Sequence, residues 1–337
     1  MTAHEARQAV VRANTPIPAV KLAVLDAPDL VELGTRMAGE VLAWCDDIRA
    51  ATHVSRTARR TGLDGRDEAI AGATAVWCEL PHSLGALDEV AALVAERADP
   101  SARLVVLARH TDLTLSMNDV LARHFDLVRG SWGTGKYRAL LANVPKRTGG
   151  PAWPRVRRDD DLGLDVWAYG PTFAGTRCDP GTRLLADHLG AVPRGDVLDF
   201  GSGSGILATL LARRDGQDPA RVLAVDVLTT SVAATARTAA AADVPIRTLW
   251  ADGLRGLPDA SLDAIVTNPP FHLGVAKDST ATLAMFADAP RVLRPGGHLW
   301  AVYNSHLPWK ARLSALVGPT RIVARNPRYT LVQATRR

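Results

Sequence analysis

Two consecutive prolines end an apolar, strand-like run in the second half of the chain. The run is LDAIVTN, residues 262–268, and it leads into Asn268-Pro269-Pro270-Phe271. Proline has no backbone N–H to donate to a neighbouring strand, so the strand stops there. The two rings also stiffen the backbone that carries the Asn268 amide. The stretch is therefore either a plain strand stop with a rigid turn or a rigid holder for a polar group.

A glycine-rich loop lies upstream of these prolines. It reads VLDFGSGSG and places Asp199 before Gly201, Ser202, Gly203 and Gly205. Glycine permits positive φ and lets a ligand approach the backbone, and a following helix N-terminus favours negative groups. A dinucleotide-binding loop would read G-x-G-x-x-G and need glycine at position 206, where the chain has isoleucine. The loop has the form D-x-G-x-G-x-G instead.

This loop resembles the cofactor loop of class I S-adenosylmethionine-dependent methyltransferases. The resemblance implies that its backbone passes along the amino-acid and ribose parts of the cofactor, while Asp199 helps hold the methionine end. Asp226 ends the next strand, where a carboxylate can accept both ribose hydroxyls. Asp252 follows a further strand-like run and is expected to bind the adenine amino group. Each acid alone is more often a solvated surface residue, but three at successive strand ends favour a cofactor site.

The proline stretch resembles the N/D/S-P-P-Y/F signature of enzymes that methylate amino groups on planar systems. Such a nitrogen is a poor nucleophile because its lone pair is delocalised. The resemblance implies that Asn268 Oδ1 and the Pro269 carbonyl accept its two hydrogens and hold the lone pair toward the methyl group. Pro270 would keep these acceptors from drifting, and Phe271 would stack on the base.

The elements around these residues alternate between strand and helix. Strands are predicted at 196–200, 221–227, 262–268 and 297–304, and helices at 205–214, 229–242 and 280–293, the second opened by Thr or Ser caps. This order predicts an α/β fold with a mostly parallel sheet and helices on both faces. The tail, 320–336, is predicted to form a hairpin whose last strand is antiparallel at or near the sheet edge.

The first half of the chain repeats this order in weakened form. Residues 103–144 run parallel to 298–336, residues 73–83 stand where 263–273 stand, and residues 21–34 stand where 196–208 stand. The first copy lacks both the glycines and the Asn-Pro-Pro. We therefore predict two tandem, duplicated Rossmann-like methyltransferase domains, a degenerate one at 1–150 and a catalytic one at 151–337. The Pro-, Gly- and charge-rich stretch 143–161 is predicted to be the boundary between them.

The extension NPPFHLG and the segment FAGTRCDPGTRLL, residues 173–185, resemble the RsmC/RlmG family of ribosomal RNA guanine methyltransferases. The segment supplies Phe173, Asp179 and Gly181, which the resemblance implies close over the cofactor. It further implies a seven-stranded catalytic sheet, transfer to the exocyclic amino group of guanine, and a cofactor-less first domain that presents RNA. The chain departs from the family pattern at Leu273, where the family has a polar residue.

Charge and cysteine content are consistent with this interpretation. The net charge is +5, and the surplus lies in residues 151–337, with 22 Lys and Arg against 17 Asp and Glu, whereas residues 1–150 hold 18 of each. A basic surplus favours an acidic partner such as RNA. The three cysteines have no metal-ligand spacing, and they suit a reducing cytoplasm. No apolar run is long enough to span a membrane.

Candidate RNA contacts are basic and aromatic residues near predicted turns. They are Arg155, Arg157, Arg158, Lys136, Arg138, Arg325 and Arg328, with Trp132, Tyr137 and Trp309 as possible base-stacking rings. For the basic residues a solvated surface charge is the default interpretation, and the rings could equally be half-buried packing residues. His272 is expected to be a structural hydrogen-bonding group.

Two other functions remain open at this stage. A protein-glutamine amide methyltransferase shares the Asn-Pro-Pro-aromatic chemistry but prefers Tyr at the fourth place. A cofactor-binding module could also bind RNA without catalysis. Neither the rRNA, the nucleotide nor the oligomeric state follows from the sequence.

Overall fold

The computed structural model describes residues 1–16, 19–149, 152–269 and 280–337, in which the chain divides into two compact units. Unit 1 comprises Met1–Pro154 and Tyr169–Pro171, and unit 2 comprises Arg155–Ala168 and Thr172–Arg337. The short segment Tyr169–Pro171 therefore packs with unit 1, although unit 2 surrounds it in the sequence.

Unit 1 is an α/β unit around a seven-stranded sheet. Its strands are β1 (Ala19–Leu25), β2 (Ala38–Trp44), β3 (Arg59–Arg60), β4 (Ala75–Glu79), β5 (Arg103–Arg109), β6 (Phe125–Gly130) and β7 (Tyr137–Pro145). Its helices are α1 (Ala3–Asn14), α2 (Val31–Gly34), α3 (Ile48–Ala51), α4 (Gly62–Ile70), α5 (Leu84–Arg97) and α6 (Leu115–His124), with 3-10 turns at Pro28–Leu30 and His110–Asp112. The strand order is β3-β2-β1-β4-β5-β7-β6, and only β7 runs antiparallel to its neighbours.

Unit 2 begins with an antiparallel pair, β8 (Arg155–Asp159) and β9 (Leu164–Ala168). Its main strands are β10 (Val197–Phe200), β11 (Val222–Asp226), β12 (Arg247–Trp250), β13 (Leu262–Thr267), β14 (Leu293–Asn304), β15 (Thr320–Arg325) and β16 (Tyr329–Thr335). Its helices are α7 (Pro180–Ala186), α8 (Ile206–Ala212), α9 (Thr229–Ala241), α10 (Thr280–Val292) and α11 (Trp309–Leu316), with 3-10 turns at Leu189–Ala191 and Pro219–Arg221.

The main sheet of unit 2 repeats the strand order of unit 1. Its order is β12-β11-β10-β13-β14-β16-β15, with β16 antiparallel to both neighbours. The predicted fold class is confirmed: two mostly parallel seven-stranded sheets share one topology. The last strand of the chain, β16, is next to the edge, and β15 forms the edge itself.

Residues 155–159, which lie in the predicted boundary stretch 143–161, form strand β8 and pair with β9. One local prediction was wrong. Helix α9 has Leu228 as its N-cap, with no capping bond from its own side chain, instead of a Thr or Ser. The Asp226 carboxylate accepts the Leu228 N–H at 2.9 Å instead, so an acid from the preceding strand replaces the predicted cap.

Both faces of the unit 2 sheet are covered because the strands are apolar at successive positions. Leu198 and Ile265 pack with α10 and α11 on one face, while Val197 and Val266 pack with α7 and α8 on the other. Continuous apolar runs of this kind are typical of central parallel strands. The packing leaves the carboxyl ends of β10, β11 and β13 together at one edge.

A buried ion pair in unit 1 binds the segment Tyr169–Pro171. Arg66 Nη1 donates to Glu89 Oε1 at 2.6 Å, and both side chains are buried. The second carboxylate oxygen of Glu89 accepts the Gly170 N–H at 2.6 Å. The guanidinium of Arg66 also lies over the rings of Trp44 and Tyr169. Glu89 therefore joins α4, α5 and the returning segment.

Removing this carboxylate should destabilise unit 1 strongly. We expect Glu89→Ala to lower the free energy of unfolding by about 3–5 kcal/mol, because Arg66 is left charged and buried with the more distant Asp67 carboxylate, at 3.8 Å, as its ion-pair partner. The matched control is Glu68→Ala, which breaks the exposed pair with Arg60 and should cost at most about 1 kcal/mol. Labelling of the buried thiols of Cys45 and Cys78 in urea reports the unfolding of unit 1. If Glu89→Ala and Glu68→Ala lower the free energy of unfolding equally, the buried Arg66–Glu89 pair is not the stronger contributor to the stability of unit 1.

Candidate cofactor and amino-group site

The glycine loop connects β10 to α8 at the carboxyl edge of the unit 2 sheet. Gly201, Gly203 and Gly205 all have positive φ, at 72°, 55° and 79°. The Gly201 and Ser202 N–H groups donate to the Val225 carbonyl at 2.8 and 3.1 Å, which folds the loop over the end of β11. At Gly205 a Cβ would lie 2.6 Å from the Cα of Thr235, so only glycine fits there.

Asp226 organises this loop from the end of β11. Its Oδ2 accepts the Gly203 N–H at 3.0 Å, and its Oδ1 accepts the Leu228 N–H. Ser202 Oγ lies 2.9 Å from Thr235 Oγ1, which links the loop to α9. Asp226 is therefore placed at the strand end where a ribose-binding acid is expected, and it also holds the shape of the loop.

Asp199 is a buried carboxylate directly beneath the loop. It is 1% exposed, and its Oδ2 accepts the Ala208 N–H at 2.9 Å. Its Oδ1 has no hydrogen-bond partner among the described residues. Burial, with a further contribution from the charge of Asp226, raises the pKa of this carboxyl to about 7. A buried oxygen without a partner beside a backbone loop fits a ligand that carries a positive group, as the methionine ammonium of S-adenosylmethionine does.

The two outer cofactor candidates lie nearer the surface. Asp252 follows β12 and has a side chain that is 44% exposed, with Arg255 at 3.9 Å. Phe173 is 64% exposed, in a turn that precedes α7. Neither residue has the buried hydrogen bonds that hold Asp199 and Asp226, so their assignment to the cofactor stays a prediction.

Asn268 stands immediately after β13, beside the glycine loop. Thr267 is fully buried, and its Oγ1 donates to the Phe200 carbonyl at 2.9 Å, which ties the end of β13 to the end of β10. Asn268 Nδ2 donates to Asp179 Oδ2 at 3.1 Å and to Thr182 Oγ1 at 2.9 Å. Its described hydrogen bonds are thus made through Nδ2, and the carbonyl oxygen Oδ1 is left as an acceptor.

Asp179 joins this group from the start of α7. As the N-cap of the helix, its Oδ2 accepts the N–H groups of Gly181 and Thr182 at 2.8 and 3.3 Å. The structure therefore brings Asp179 to Asn268, a contact that the sequence did not predict. Thr182 was missed altogether, although the order Asp-Pro-Gly-Thr marks a helix start with an Asp cap and Pro at the first position.

The remaining residues of the proline stretch are described only in part. Pro269 is buried. Pro270, Phe271, His272 and Leu273 lie outside the described residues.

Exposure divides the candidate RNA contacts into two groups. Tyr137 is buried and packs against Arg7, and Trp309 is buried against Phe286 and Tyr303, so of the two alternatives left open by the sequence these two rings are packing residues. Trp132 is 94% exposed. The exposed basic candidates are Lys136, Arg155, Arg157, Arg158, Arg325 and Arg328, whereas Arg138 is half-buried.

Unit 1 carries different side chains at the corresponding strand ends. The Asp26 N–H donates to the Trp44 carbonyl as the Gly201 N–H donates to Val225, so Asp26 stands at the place of the first loop glycine. By the strand register, Cys45 stands at the place of Asp226.

The place of Asn268 is taken by Glu79, one residue beyond the position given by aligning 73–83 with 263–273. The Arg7 guanidinium pairs with Glu79 at 2.8 Å and with Asp29 at 2.9 Å. In unit 1 an internal ion pair therefore stands where unit 2 presents the Asn268 amide.

The strand order, the glycine loop and the acid after the second strand define unit 2 as a class I methyltransferase domain. The family described as Methyltransferase small domain matches residues 163–333. The chain belongs to this family, and its relatives place it among the RsmC- and RlmG-type members, whose cofactor is S-adenosylmethionine.

Three curated relatives illustrate the likeness. The chain is 36% identical to ribosomal RNA large subunit methyltransferase G of Streptomyces avermitilis over 55% of this chain and 50% of that protein. It is 32% identical to the protein of the same name from Streptomyces coelicolor, over 76% and 70%. It is 30% identical to ribosomal RNA small subunit methyltransferase C of Hahella chejuensis, over 67% and 73%. The first match thus spans about half the length of the relative.

A solved structure has the same two-unit fold. The T. thermophilus 16S rRNA methyltransferase RsmC, in complex with AdoMet and guanosine, matches with a TM-score of 0.78 at 24% identity. The match covers 99% of this chain and 91% of that one. In the described part of the chain, no helix is long and apolar enough to cross a membrane.

The raised pKa of Asp199 predicts how the stability of unit 2 depends on pH. The folded state holds the Asp199 proton up to about pH 7, whereas the unfolded chain releases it near 3.8. Stability should therefore fall as the pH rises from about 4 to about 7, by on the order of 4 kcal/mol from this group. Asp199→Asn should remove this decline. Pulse proteolysis in urea, scored on fragments of unit 2, measures it.

Asp196 at the other end of β10 provides the control. Hydrogen bonds from Arg221 and then Arg294 lower the pKa of its carboxyl to about 2. Its contribution is present above about pH 4 and is lost only as the pH falls further, so Asp196→Asn should keep the decline between pH 4 and 7. If the stability of unit 2 depends on pH in the same way in the wild type and in Asp199→Asn, burial of the Asp199 carboxyl is not the cause of the decline.

Proposed function

We propose that the chain transfers a methyl group from S-adenosylmethionine to the exocyclic amino group of a guanine in ribosomal RNA. The observation that carries the proposal is the Asn268 amide. Its nitrogen is engaged by Asp179 and Thr182, and its oxygen is left to accept, at a strand end beside the glycine loop. An amino group needs acceptors, and this arrangement supplies one on a fixed support.

The residues of the chain hold both reactants. Bound S-adenosylmethionine supplies an activated methyl group. Asp199, Asp226 and the backbone of Gly201, Ser202, Gly203 and Gly205 would hold that cofactor, with Phe173, Asp179 and Asp252 around it. Asn268 Oδ1 and the Pro269 carbonyl would each accept one amino hydrogen, favouring a pyramidal nitrogen in the transition state. Pro270 would stiffen the loop and Phe271 would stack on the base. The amino proton leaves for water after the nitrogen–carbon bond forms.

Ribosomal RNA as the substrate is supported by the names of the relatives at 30–36% identity and by the basic surplus of residues 151–337. Arg325 and Arg328 lie exposed at the turn between β15 and β16, next to Tyr329. That ring packs against Gly181 at the start of α7, whose cap Asp179 contacts Asn268. This series of contacts supports Arg325 and Arg328 as candidate phosphate contacts for a nucleotide bound at Asn268.

Unit 1 would present RNA without binding the cofactor. Its first loop position carries Asp26 instead of glycine, Cys45 stands after its second strand in the place of Asp226, and Glu79 is paired with Arg7. Each change removes one of the features that fit the cofactor and amino group in unit 2. The exposed ring of Trp132 is a candidate for base stacking.

The two rival functions differ in substrate and in catalysis. A glutamine amide of a protein would also present an amino group to Asn268, but the basic surplus and the degenerate twin unit favour RNA. A binding module without catalysis would have no need for an oriented Asn268 amide. The cytoplasmic location stays a prediction from the sequence.

Replacing Asn268 should abolish methyl transfer and spare cofactor binding. We expect Asn268→Ala to lower kcat by about 100-fold or more, as for loss of a donor or acceptor that acts on the transition state. The affinity for S-adenosylmethionine should change by less than about threefold, because Asp199, Asp226 and the glycine loop remain. Methyl transfer is measured by incubating each variant and labelled cofactor with naked rRNA, ribosomal subunits or release factors. Binding of S-adenosylmethionine is measured separately by calorimetry.

The control for this experiment is Asn143→Ala in unit 1, which removes only a hydrogen bond to Arg103. Label in protein and not in RNA would overturn the proposed substrate. Equal loss of cofactor binding and transfer in Asn268→Ala would show that Asn268 is a structural residue.

Binding to RNA should weaken with salt through Arg325 and Arg328. Each arginine that neutralises a phosphate contributes about one unit to the slope of log K against log salt, so each Ala variant should reduce the slope by about 1. Arg36→Ala, an exposed arginine in unit 1, should leave the slope unchanged. Titrations of rRNA fragments between about 50 and 200 mM salt measure the slope. Unchanged slopes for Arg325→Ala and Arg328→Ala would place the phosphate contacts elsewhere.

A further inference from the structure

The Asn268 amide has a preferred orientation because its partner Asp179, when ionised, can only accept hydrogen bonds. Asp179 Oδ2 is 3.1 Å and Thr182 Oγ1 is 2.9 Å from Nδ2, so the two amide hydrogens have one acceptor each. A rotated amide would place Oδ1 against the Asp179 carboxylate, which has no hydrogen to give when it is ionised. The rotated state therefore loses the hydrogen bond to Asp179 and brings two acceptor oxygens together, whereas the Thr182 hydroxyl can turn and donate to Oδ1.

We propose that Asp179 and Thr182 are positioning residues that hold Asn268 Oδ1 toward the substrate amino group. The proposal rests on the proposed function and adds the orientation mechanism. With Nδ2 outward, the same side chain would direct two hydrogens at an amino group and repel it. The orientation of the Asn268 amide thus decides whether the site attracts or repels the substrate amino group that receives the methyl group.

The same contacts increase the strength of Asn268 as an acceptor. Hydrogen bonds in a chain polarise one another, so donation from Nδ2 to a carboxylate draws electron density toward Oδ1. A stronger acceptor at Oδ1 stabilises the amino group as it becomes positive during transfer. Asp179 therefore acts on the reaction through Asn268 and without contact with the reacting atoms.

Asp179 and Thr182 are held in place by the helix and sheet beneath them. Asp179 caps α7 through the Gly181 and Thr182 N–H groups. A Cβ at Gly181 would lie 3.1 Å from the Tyr329 ring, so the helix start rests directly on the buried side chain of β16. Since β16 pairs with β14 and β14 with β13, the strand beneath α7 and the strand that leads to Asn268 belong to one connected sheet.

Two conservative substitutions separate orientation from folding. Asn caps helices as well as Asp does, so Asp179→Asn should keep α7 while replacing the carboxylate by a neutral amide. We expect about a 10- to 100-fold loss of kcat, with KM for RNA within about threefold. Thr182→Val removes one hydroxyl and should lower kcat about three- to tenfold, while Thr182→Ser should restore it. Thr320→Val, a half-buried strand threonine far along the chain, is the matched control.

A structural role alone would not produce coupling to Asn268. In an Asn268→Ala background, Asp179→Asn and Thr182→Val should have no further effect on kcat, because the amide on which they act is gone. Asn268→Asp alone should be nearly inactive, since two carboxylates would meet. Combining it with Asp179→Asn should recover at least about tenfold, because only one carboxylate then remains at this contact and the charge repulsion is removed. If Asp179→Asn and Thr182→Val lower kcat by the same factor in the wild type and in the Asn268→Ala background, the proposal is overturned.

A readout without turnover keeps this inference distinct from the proposed function. The chain has six asparagines, so selective side-chain ¹⁵N labelling gives six amide pairs, of which Asn268→Ala identifies one. Both hydrogens of that pair should exchange slowly in the wild type, and Thr182→Val should speed the exchange of one. Fast exchange of both in the wild type refutes the orientation, whatever the substrate. A wild-type protein that shows protection but transfers no methyl to RNA refutes the proposed function alone.

Discussion

Hydrogen bonds between the carboxyl ends of β10, β11 and β13 are the constraint on which the rest of unit 2 depends. The Gly201 N–H is bonded to the end of β11, and the Thr267 hydroxyl is bonded to the end of β10. These bonds fix the glycine loop and Asn268 on one rigid edge, where parallel strands expose their last carbonyls. A cofactor and an acceptor nitrogen that must meet in line can be held to within fractions of an ångström only on such a support.

The same edge in unit 1 shows how the site is lost while the fold is kept. The order of the seven strands and the bond from Asp26 to the end of β2 are retained. What differs is the chemistry of single positions: a side chain where the loop needs bare backbone, and a carboxylate, Glu79, where Asn268 stands. Arg7 neutralises that carboxylate by an internal ion pair. Topology is set by apolar strands and helix packing, so it tolerates such changes in the side chains at the strand ends.

The sequence predicted the fold well because its signals are local. Apolar runs, glycine spacing and strand-end acids lie within a few residues of one another, and the strands at 196–200 and 262–268 were placed to within one residue. It missed Thr182, which is 86 residues from Asn268 and meets it only because α7 packs on β16. The sequence left open whether Tyr137 and Trp309 are buried, since the exposure of a ring depends on which elements pack over it. Strand β8 was missed because charged residues on an exposed two-stranded pair look like a linker.

Amide orientation explains why the site uses asparagine together with a distant carboxylate. A carboxylate at 268 would accept an amino group in either rotamer, but beside Asp179 it would place two negative groups in contact. An amide avoids that repulsion and converts Asp179 from an obstacle into the partner that fixes its rotamer. An amide, however, functions in only one of its two orientations, which have nearly the same shape and differ by the exchange of Oδ1 and Nδ2. The Asp179 cap, the Thr182 hydroxyl and the Tyr329 packing beneath α7 are what make that single orientation the stable one.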